Sequence, residues 1–307
     1  MTYAYLLAGE NLELAEAELK GFLRSQEIDE TPETTHRLAF TDNHPGQLKR
    51  LALTHEVSEV VNRSEKLETD YRPEGSYAVR VEDLTEGKTN NDIEKQLGKL
   101  LSTENNEVDL DNPEKLIKVY VLEEEYVIAV EKLSIDRGLF EKRKNQNRPF
   151  SSPISLDPVL ARVLVNLSEV PAGGKVLDPF CGTGGILIEA GLCGIGVYGA
   201  DMQEEMVKGS RENLEEYGII SHDIRKSDIS SVDEVFEQSF DAVLTDLPYG
   251  KSSKTEGEPE KEFLQVSSKL CNGKTVFMSD KKGLNGFEPS FEIYVHKNMT
   301  RYIYIID

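Results

Sequence analysis

No apolar run in the 307 residues approaches the roughly 20 needed to span a bilayer. The opening MTYAYLLAGENLELAE has neither a basic start nor an apolar stretch long enough for a secretory signal. Cysteine is scarce: Cys181, Cys193 and Cys271 are too few and too scattered for a disulfide framework or a zinc site. His36, His44, His55, His222 and His296 show no metal-ligand spacing, so no metal is expected. Positive charge is also short, with 35 Lys and Arg against 56 Asp and Glu and a net charge of −21. The deficit is even, with 31 acidic and 20 basic residues over 1–150 and 25 and 15 after that. This rules out an acidic tail and a uniformly basic nucleic-acid coat. Net acidity argues against a nucleic-acid partner. It is equally the habit of proteins that work in strong salt, where counter-ions screen self-repulsion. Both accounts stay open. The expectation from these absences is a cytoplasmic protein with reduced thiols.

What is present divides in two. The length favours about two domains, and an apolar share of 38% suffices for real cores. Residues 3–8 (YAYLLA) read as a short buried strand. Asn11 can cap a helix in which Leu12, Ala15, Leu19, Phe22 and Leu23 fall near helical spacing. Residues 38–40 are a strand candidate, 46–55 read as helical, 56–63 as extended, and 76–82 (SYAVRVE) alternate as strand residues do. A capped amphipathic helix is predicted over 90–102, and IKVYVL and EYVIAVEKL form two strands about the acidic turn Glu123–Glu125. The order is that of a small α+β domain. Residues 136–148 are the one basic stretch, with Arg137, Lys142, Arg143, Lys144 and Arg148 against Asp136 and Glu141. PFSSPISLDP follows with linker composition. The sequence thus predicts an N-terminal region 1–148, a linker 149–157 and a C-terminal domain 158–307. In the last span a helix over 158–168 leads into strands KVLD, VYGAD, FDAVLTD, KTVFMS and YIYIID, alternating with helices near 184–192, 203–217, 231–238 and 258–271. That alternation predicts an α/β fold with a doubly wound, mostly parallel sheet.

The strongest local signal runs from Val176 to Gly185, VLDPFCGTGG, into the helix ILIEAGL. An apolar strand ends in an acid, passes through glycines and enters a helix, and ligands of open α/β sheets bind at such strand ends. GTGG lacks G-x-G-x-x-G spacing, and no P-loop Lys-Ser/Thr follows. The segment resembles the first motif of Rossmann-class S-adenosylmethionine-dependent methyltransferases. The resemblance implies that the cofactor's amino-acid portion lies against Gly182 and Gly184 with its ammonium near Asp178, Pro179 and Phe180 belonging to the same turn. Asp201, ending VYGAD, can accept both ribose hydroxyls, with Met202 flanking the adenine. Asp228 can accept from the adenine amino group beside Ile229. A helix cap at Asp201 and a plain turn at Asp228 are the competing readings. Cys181 reads as a small packing residue.

Residues 240–250 (FDAVLTDLPYG) are similar to the (Asp/Asn)-Pro-Pro-(Tyr/Phe) motif of amino-group methyltransferases. The lone pair of an exocyclic base amine is conjugated with the ring, so the amine is a poor nucleophile. Asp246, with the carbonyl of Leu247, can accept its hydrogens and draw that lone pair toward a methyl donor. Pro248 fixes the turn, and Tyr249 offers a face for a flipped base. Leu247 departs from the motif, where a proline is usual, but its carbonyl remains available.

RPFSSPISLDPVLARVLVNLSEV over 148–170 resembles the archaeal tRNA (guanine-10 N2)-dimethyltransferase family, and SYAVRVEDL, the IKVYVL–EYVIAVEKL hairpin and HKNMTRYIYIID fit the same pattern. The resemblance implies an N-terminal ferredoxin-like and THUMP RNA-binding region joined to the methyltransferase domain. It implies tRNA as partner, S-adenosylmethionine as cofactor, methylation of a guanine N2, a small zinc-binding activator subunit as a candidate partner, and no membrane. The basic segment 136–148 would meet phosphates, a solvated linker being its plain alternative. The rivals are the same chemistry on another RNA or on adenine N6 of DNA, and a catalytically silent RNA-binding subunit, favoured by Leu247 alone. Thiouridine synthesis needs a Ser-Gly-Gly-x-Asp-Ser loop that the chain lacks.

Overall fold

The alternating segments form two sheets in the computed structural model, which describes residues 1–43, 45–85, 91–153, 155–248, 259–296 and 299–307. Contacts divide the chain into two units: residues 1–16, 30–49 and 53–136, and residues 17–29, 50–52 and 137–307. No helix among the described residues is long and apolar enough to cross a membrane.

The first unit contains β1 (Tyr3–Leu7), the start of α1 (Leu12–Ser25), β2 (Glu33–Thr35), β3 (Leu38–Thr41), β4 (Thr54–Ser64), β5 (Gly75–Asp83), α2 (Asn91–Leu101), β6 (Asn106–Val108), β7 (Lys115–Val121) and β8 (Tyr126–Ser134). The sheet order is β2-β3-β1-β4-β8-β7-β5-β6; β5 runs parallel to β6 and β7, and the other pairs are antiparallel. Asn11 caps α1 as expected, its Oδ1 accepting from the Leu14 amide at 3.1 Å. Strand alternation sorts the core into two faces. Ile117, Val119 and Val121 pack with Ile93, Leu97 and Leu101 of α2, while Tyr120 and Leu122 pack with Leu6, Leu38 and Phe40. The expected helix over 46–55 reduces to one 3₁₀ turn, Leu48–Arg50, and the chain is extended from Thr54. Pairing of Thr54 with Leu7 and Glu56 with Leu6 decides the matter: a sheet partner distant in sequence overrides a short local pattern.

The second unit continues with α3 (Gly138–Lys142), α4 (Pro158–Leu167), β9 (Lys175–Asp178), α5 (Gly185–Gly191), β10 (Gly196–Asp201), α6 (Glu204–Glu216), β11 (His222–Lys226), α7 (Val232–Val235), β12 (Phe240–Asp246), α8 (Pro259–Leu270), β13 (Cys271–Ser279), β14 (Phe291–His296) and β15 (Met299–Ile306). The order β11-β10-β9-β12-β13-β15-β14 is parallel from β11 to β13, and β15 runs antiparallel between β13 and β14. This is the doubly wound sheet that the alternation predicts. β2, β6, β11 and β14 were not legible: β2 and β6 are three-residue strands, and β11 (HDIRK) has a single buried residue, Ile224.

α4 starts where Asp157 caps Val159 and Pro158 takes a first-turn position. It is not merely amphipathic, since Ala161 through Leu167 are all buried, Arg162 and Asn166 included. Their polar groups enter a buried network, which leaves Arg50 Nη1 and Arg162 Nε without a hydrogen-bond partner among the described residues. Asn166 donates to Glu18 Oε1 at 2.7 Å and accepts from Arg50 Nε at 2.7 Å, while the Ala52 amide donates to Glu18 Oε1 at 2.8 Å. Arg162 meets Glu189 at 2.8 Å, and Arg143 meets the same carboxylate at 2.6 Å. Glu189 is fully buried and carries the balance of two guanidinium groups. Glu189→Gln leaves both cations facing each other without a counter-charge, and is expected to cost about 3–5 kcal/mol of stability, read as a lower urea midpoint at unchanged slope.

Candidate active site

The strand order reverses between β9 and β12, because the chain leaves β9 to build β10 and β11 on one side and returns to build β12 and β13 on the other. Such a reversal opens a crevice at the carboxyl ends of the two strands. β9 ends at Asp178 and β12 at Asp246. A cavity of about 310 Å³ lies there, lined by residues of the second unit.

Its acids are each held by donors. Asp178 is buried, and its Oδ1 accepts from the Phe180 amide at 3.1 Å and from the Thr245 hydroxyl at 2.7 Å. Both bonds end on Oδ1, leaving Oδ2 for a donor from the cavity. Burial pushes the carboxyl up to about 7 against these bonds, helped by the nearby charges of Asp246 and Asp201. Asp201 accepts from the Gly182 amide at 3.1 Å and from the Gln203 amide at 2.8 Å, so it clamps the glycine turn and opens α6. Its carboxyl is raised by burial, against those two amides. Asp246 pairs with Arg301 of β15; burial raises its carboxyl and the guanidinium opposes the rise.

The glycines divide their labour. Gly182 has φ +50 and open space where a Cβ would stand, and it lines the cavity. Gly184 has φ +79, and a Cβ there would sit 2.5 Å from Ser210 Oγ. It shapes the start of α5 and does not line the cavity.

The cavity brings together Asp178, Pro179, Phe180, Gly182, Asp201, Met202, Asp228, Ile229, Asp246 and Pro248. Asp228 also caps a 3₁₀ turn, accepting from the amide and hydroxyl of Ser230 at 3.0 and 2.8 Å. Leu247 points into the core with Phe263 and Phe277, and its amide donates to the Met278 carbonyl at 2.9 Å. A proline could not make that bond, so the departure from the motif extends the pairing of β12 and β13 by one link. Tyr249 lies outside the described residues. Cys181 lines the cavity, but burial holds its thiol well above the ordinary range, which suits packing and not nucleophilic attack.

Sequence reasoning missed Thr245 and Arg301, which hold two of the acids, and Ser152, Ser155 and Leu156, which line the cavity from the predicted linker. The acid-rich strand ends gave no sign of either partner. The basic segment does not act as a block. Lys142 is exposed and Arg137 half-buried. Lys144 pairs with Glu141 at 2.6 Å. Arg143 is turned inward onto Glu189, and Arg148 is buried with Nη1 at 3.1 Å from Ser155 Oγ and 3.4 Å from Thr183 Oγ1. A run of cations in sequence does not show which of them meets an interior acid.

Residues 145–285 match the family described as RMKL-like, methyltransferase domain. The chain is 33% identical to the tRNA (guanine(10)-N2)-dimethyltransferase of Methanothermobacter thermautotrophicus, over 100% of this chain and 99% of that one. It is 35% identical to the protein of the same name from Pyrococcus abyssi, over 84% and 85%. Among solved structures, TrmN from Thermus thermophilus aligns with a TM-score of 0.56 at 22% identity over 99% of each chain. A possible methylase from Clostridium difficile 630 aligns with a TM-score of 0.53 at 16% identity, over 99% and 97%. At those identities the structural likeness speaks for the fold alone. With full-length sequence similarity added to the crevice and its acids, the chain belongs to the tRNA (guanine(10)-N2)-dimethyltransferase family.

Proposed function

We propose that this protein transfers methyl groups from S-adenosylmethionine to the exocyclic N2 of a guanine in tRNA, guanine 10, giving N2-methyl- and N2,N2-dimethylguanosine. The carrying observation is the convergence of Asp178, Asp201 and Asp246 on one cavity at the strand-order reversal. The residues present suit the cofactor. The free side of Asp178 suits an ammonium, Asp201 suits vicinal hydroxyls, Asp228 and Ile229 suit an adenine edge, and the open space at Gly182 admits a ligand against the backbone. When bound, S-adenosylmethionine supplies an electrophilic methyl group on a sulfonium centre.

The chain's own work is positioning and electrostatics. Asp246 accepts one N–H of the target amine and the Leu247 carbonyl accepts the other, which frees the nitrogen lone pair from the ring. Arg301 opposes the rise that burial imposes on the Asp246 carboxyl and so favours its ionised form. Pro248 shapes the turn, and Tyr249 is the candidate stacking face. The region 1–148 is proposed to hold the tRNA as a THUMP-type module, with Arg137, Lys142 and Lys144 as phosphate contacts. The reading implies a cytoplasmic enzyme, and it keeps a small zinc-binding activator subunit as a candidate partner.

The direct test is methyl transfer from labelled cofactor to an unmodified tRNA transcript, at low and at molar salt, with nucleoside mass spectrometry of the product. N2-methylated guanosine mapped to position 10 is the expected result. Cofactor binding without transfer to any RNA, even with the activator added, would support the silent subunit.

Two variants refine the roles. Asp246→Ala should lower turnover by about a hundredfold or more while cofactor affinity stays within a few fold. Arg301→Met should move the acidic limb of the kcat profile to higher pH, because the opposing cation is gone, and Arg301→Lys should restore part of it. A further dependence follows from Asp178. Pairing with the cofactor's ammonium requires its ionised form, so cofactor affinity should rise as pH increases through about 7. Asp178→Asn should flatten that limb in calorimetric titrations.

A further inference from the structure

A guanine whose N2 gives its two hydrogens to Asp246 and the Leu247 carbonyl still has a third donor on the same edge. Its N1–H stands next to N2 and faces a pairing partner while the base is in a duplex. Turning the base out removes that partner, and a donor left unmade in a site is costly. The base therefore calls for one more acceptor, beside Asp246.

Asp280 is placed for it. This residue directly follows β13, the strand between β12, which ends at Asp246, and β15, which supplies Arg301. On one side Asp246 is in register with Met278, two positions before Asp280. On the other side Ser279 is in register with Tyr302, so the next step brings Asp280 level with Arg301. Arg301 reaches Asp246 past the end of β13, where Asp280 stands, and the charge of Asp280 is felt at the Asp246 carboxyl.

The backbone around Asp280 is fixed. The Lys281 amide donates to Ser279 Oγ at 3.1 Å, and the Lys281 carbonyl accepts from the Tyr304 hydroxyl at 2.7 Å. The same hydroxyl accepts from the Gly283 amide at 3.0 Å. The neighbouring cations are engaged elsewhere, Lys281 with Glu260 and Lys282 with Glu292. Asp280 itself is exposed, and among the described residues no hydrogen bond or ion pair engages its carboxylate. It is an acceptor held in place and left open, one strand away from the acid that meets the target amine.

We infer that Asp280 accepts the N1–H of the target guanine and so selects guanine over bases that carry an amine but no hydrogen on N1. Adenine and 2-aminopurine present a lone pair at N1, and a carboxylate facing it sets two acceptors against each other with no proton between them. The two acids thus divide the edge of the base, Asp246 serving the reacting N2 and Asp280 the adjacent N1. The inference rests on guanine N2 being the methyl acceptor.

The test uses tRNA assembled by ligation with either guanine or 2-aminopurine at position 10, which keeps the amine at C2 and changes N1 from donor to acceptor. Methyl transfer is read as kcat/KM on both. Wild-type protein should prefer guanine by about a hundredfold or more. Asp280→Asn, whose amide can donate to an N1 lone pair, should shrink that preference by about tenfold or more, losing on guanine and gaining on 2-aminopurine. Asp280→Ala should lose on guanine alone. The intrinsic reactivities of the two amines are common to all three proteins and cancel in the change of ratio. Cofactor affinity within a few fold of wild type confirms that the variants fold. Equal losses on both substrates would mark Asp280 as a mere neighbour of Arg301 and overturn the proposal, as would variants that match wild type on both. A wild type that transfers no methyl to guanine N2 would instead remove the reading of the site, and the role of Asp280 with it.

Discussion

Like charges gathered in a low-dielectric crevice repel one another and lose their hydration, so every acid at the end of a strand here needs its own donor. That constraint organises the second unit around its cavity. Thr245 bridges from β12 to Asp178 of β9, and so adds a side-chain tie between the two paired strands at whose carboxyl ends the crevice opens. Backbone amides of Gly182 and Gln203 hold Asp201, which forces the glycine turn into the conformation that only glycine at 182 and 184 adopts without strain. Arg301 reaches Asp246 from β15, which explains why the antiparallel strand between β13 and β14 matters to a site built on parallel strands. Remove any one donor and the remaining charge either takes up a proton or pushes its neighbours apart.

The same principle operates away from the cavity. Glu189 balances Arg143 and Arg162, and Glu18 holds Asn166 in place to receive Arg50. These interior polar contacts define a register for α4 that apolar packing alone would leave loose. Arg148 breaks the pattern: it is buried, and among the described residues its guanidinium is held by the Arg143 carbonyl and the hydroxyls of Ser155 and Thr183, with no carboxylate paired to it.

Parts of this were legible in the sequence because their signals are short-range. An acid ending an apolar strand, followed by glycines and a helix, marks Asp178, Gly182 and Gly184 without knowledge of the rest of the fold. Asp201 and Asp246 are marked by the strands they end. The alternation of β9 to β13 with helices carries the doubly wound sheet for the same reason. What was illegible depends on distant partners. Nothing near Arg301 says that its side chain meets a residue 55 positions earlier. Nothing in a basic run says that Arg143 turns to Glu189, 46 positions on. Residues 46–55 read as helix on local pattern, yet Thr54 and Glu56 are claimed by β1. Leu247 looked like an erosion of a proline motif, and its amide proves to be a working strand link.

The second unit is discontinuous. Arg50 finds Asn166 across 116 positions, and Glu18 finds it across 148. On the ribosome, both charged residues emerge long before the helix that will bury them, and they must wait as solvated side chains while the rest of the first sheet, β4 to β8 included, is synthesised. Closing so large a loop is slow in search time although its entropy grows only with the logarithm of its length. A fragment that begins at residue 137 would lack Glu18 and Arg50, leaving Asn166 and Arg162 beside an empty slot. Folding of the methyl-transferring half is thereby coupled to completion of the entire chain.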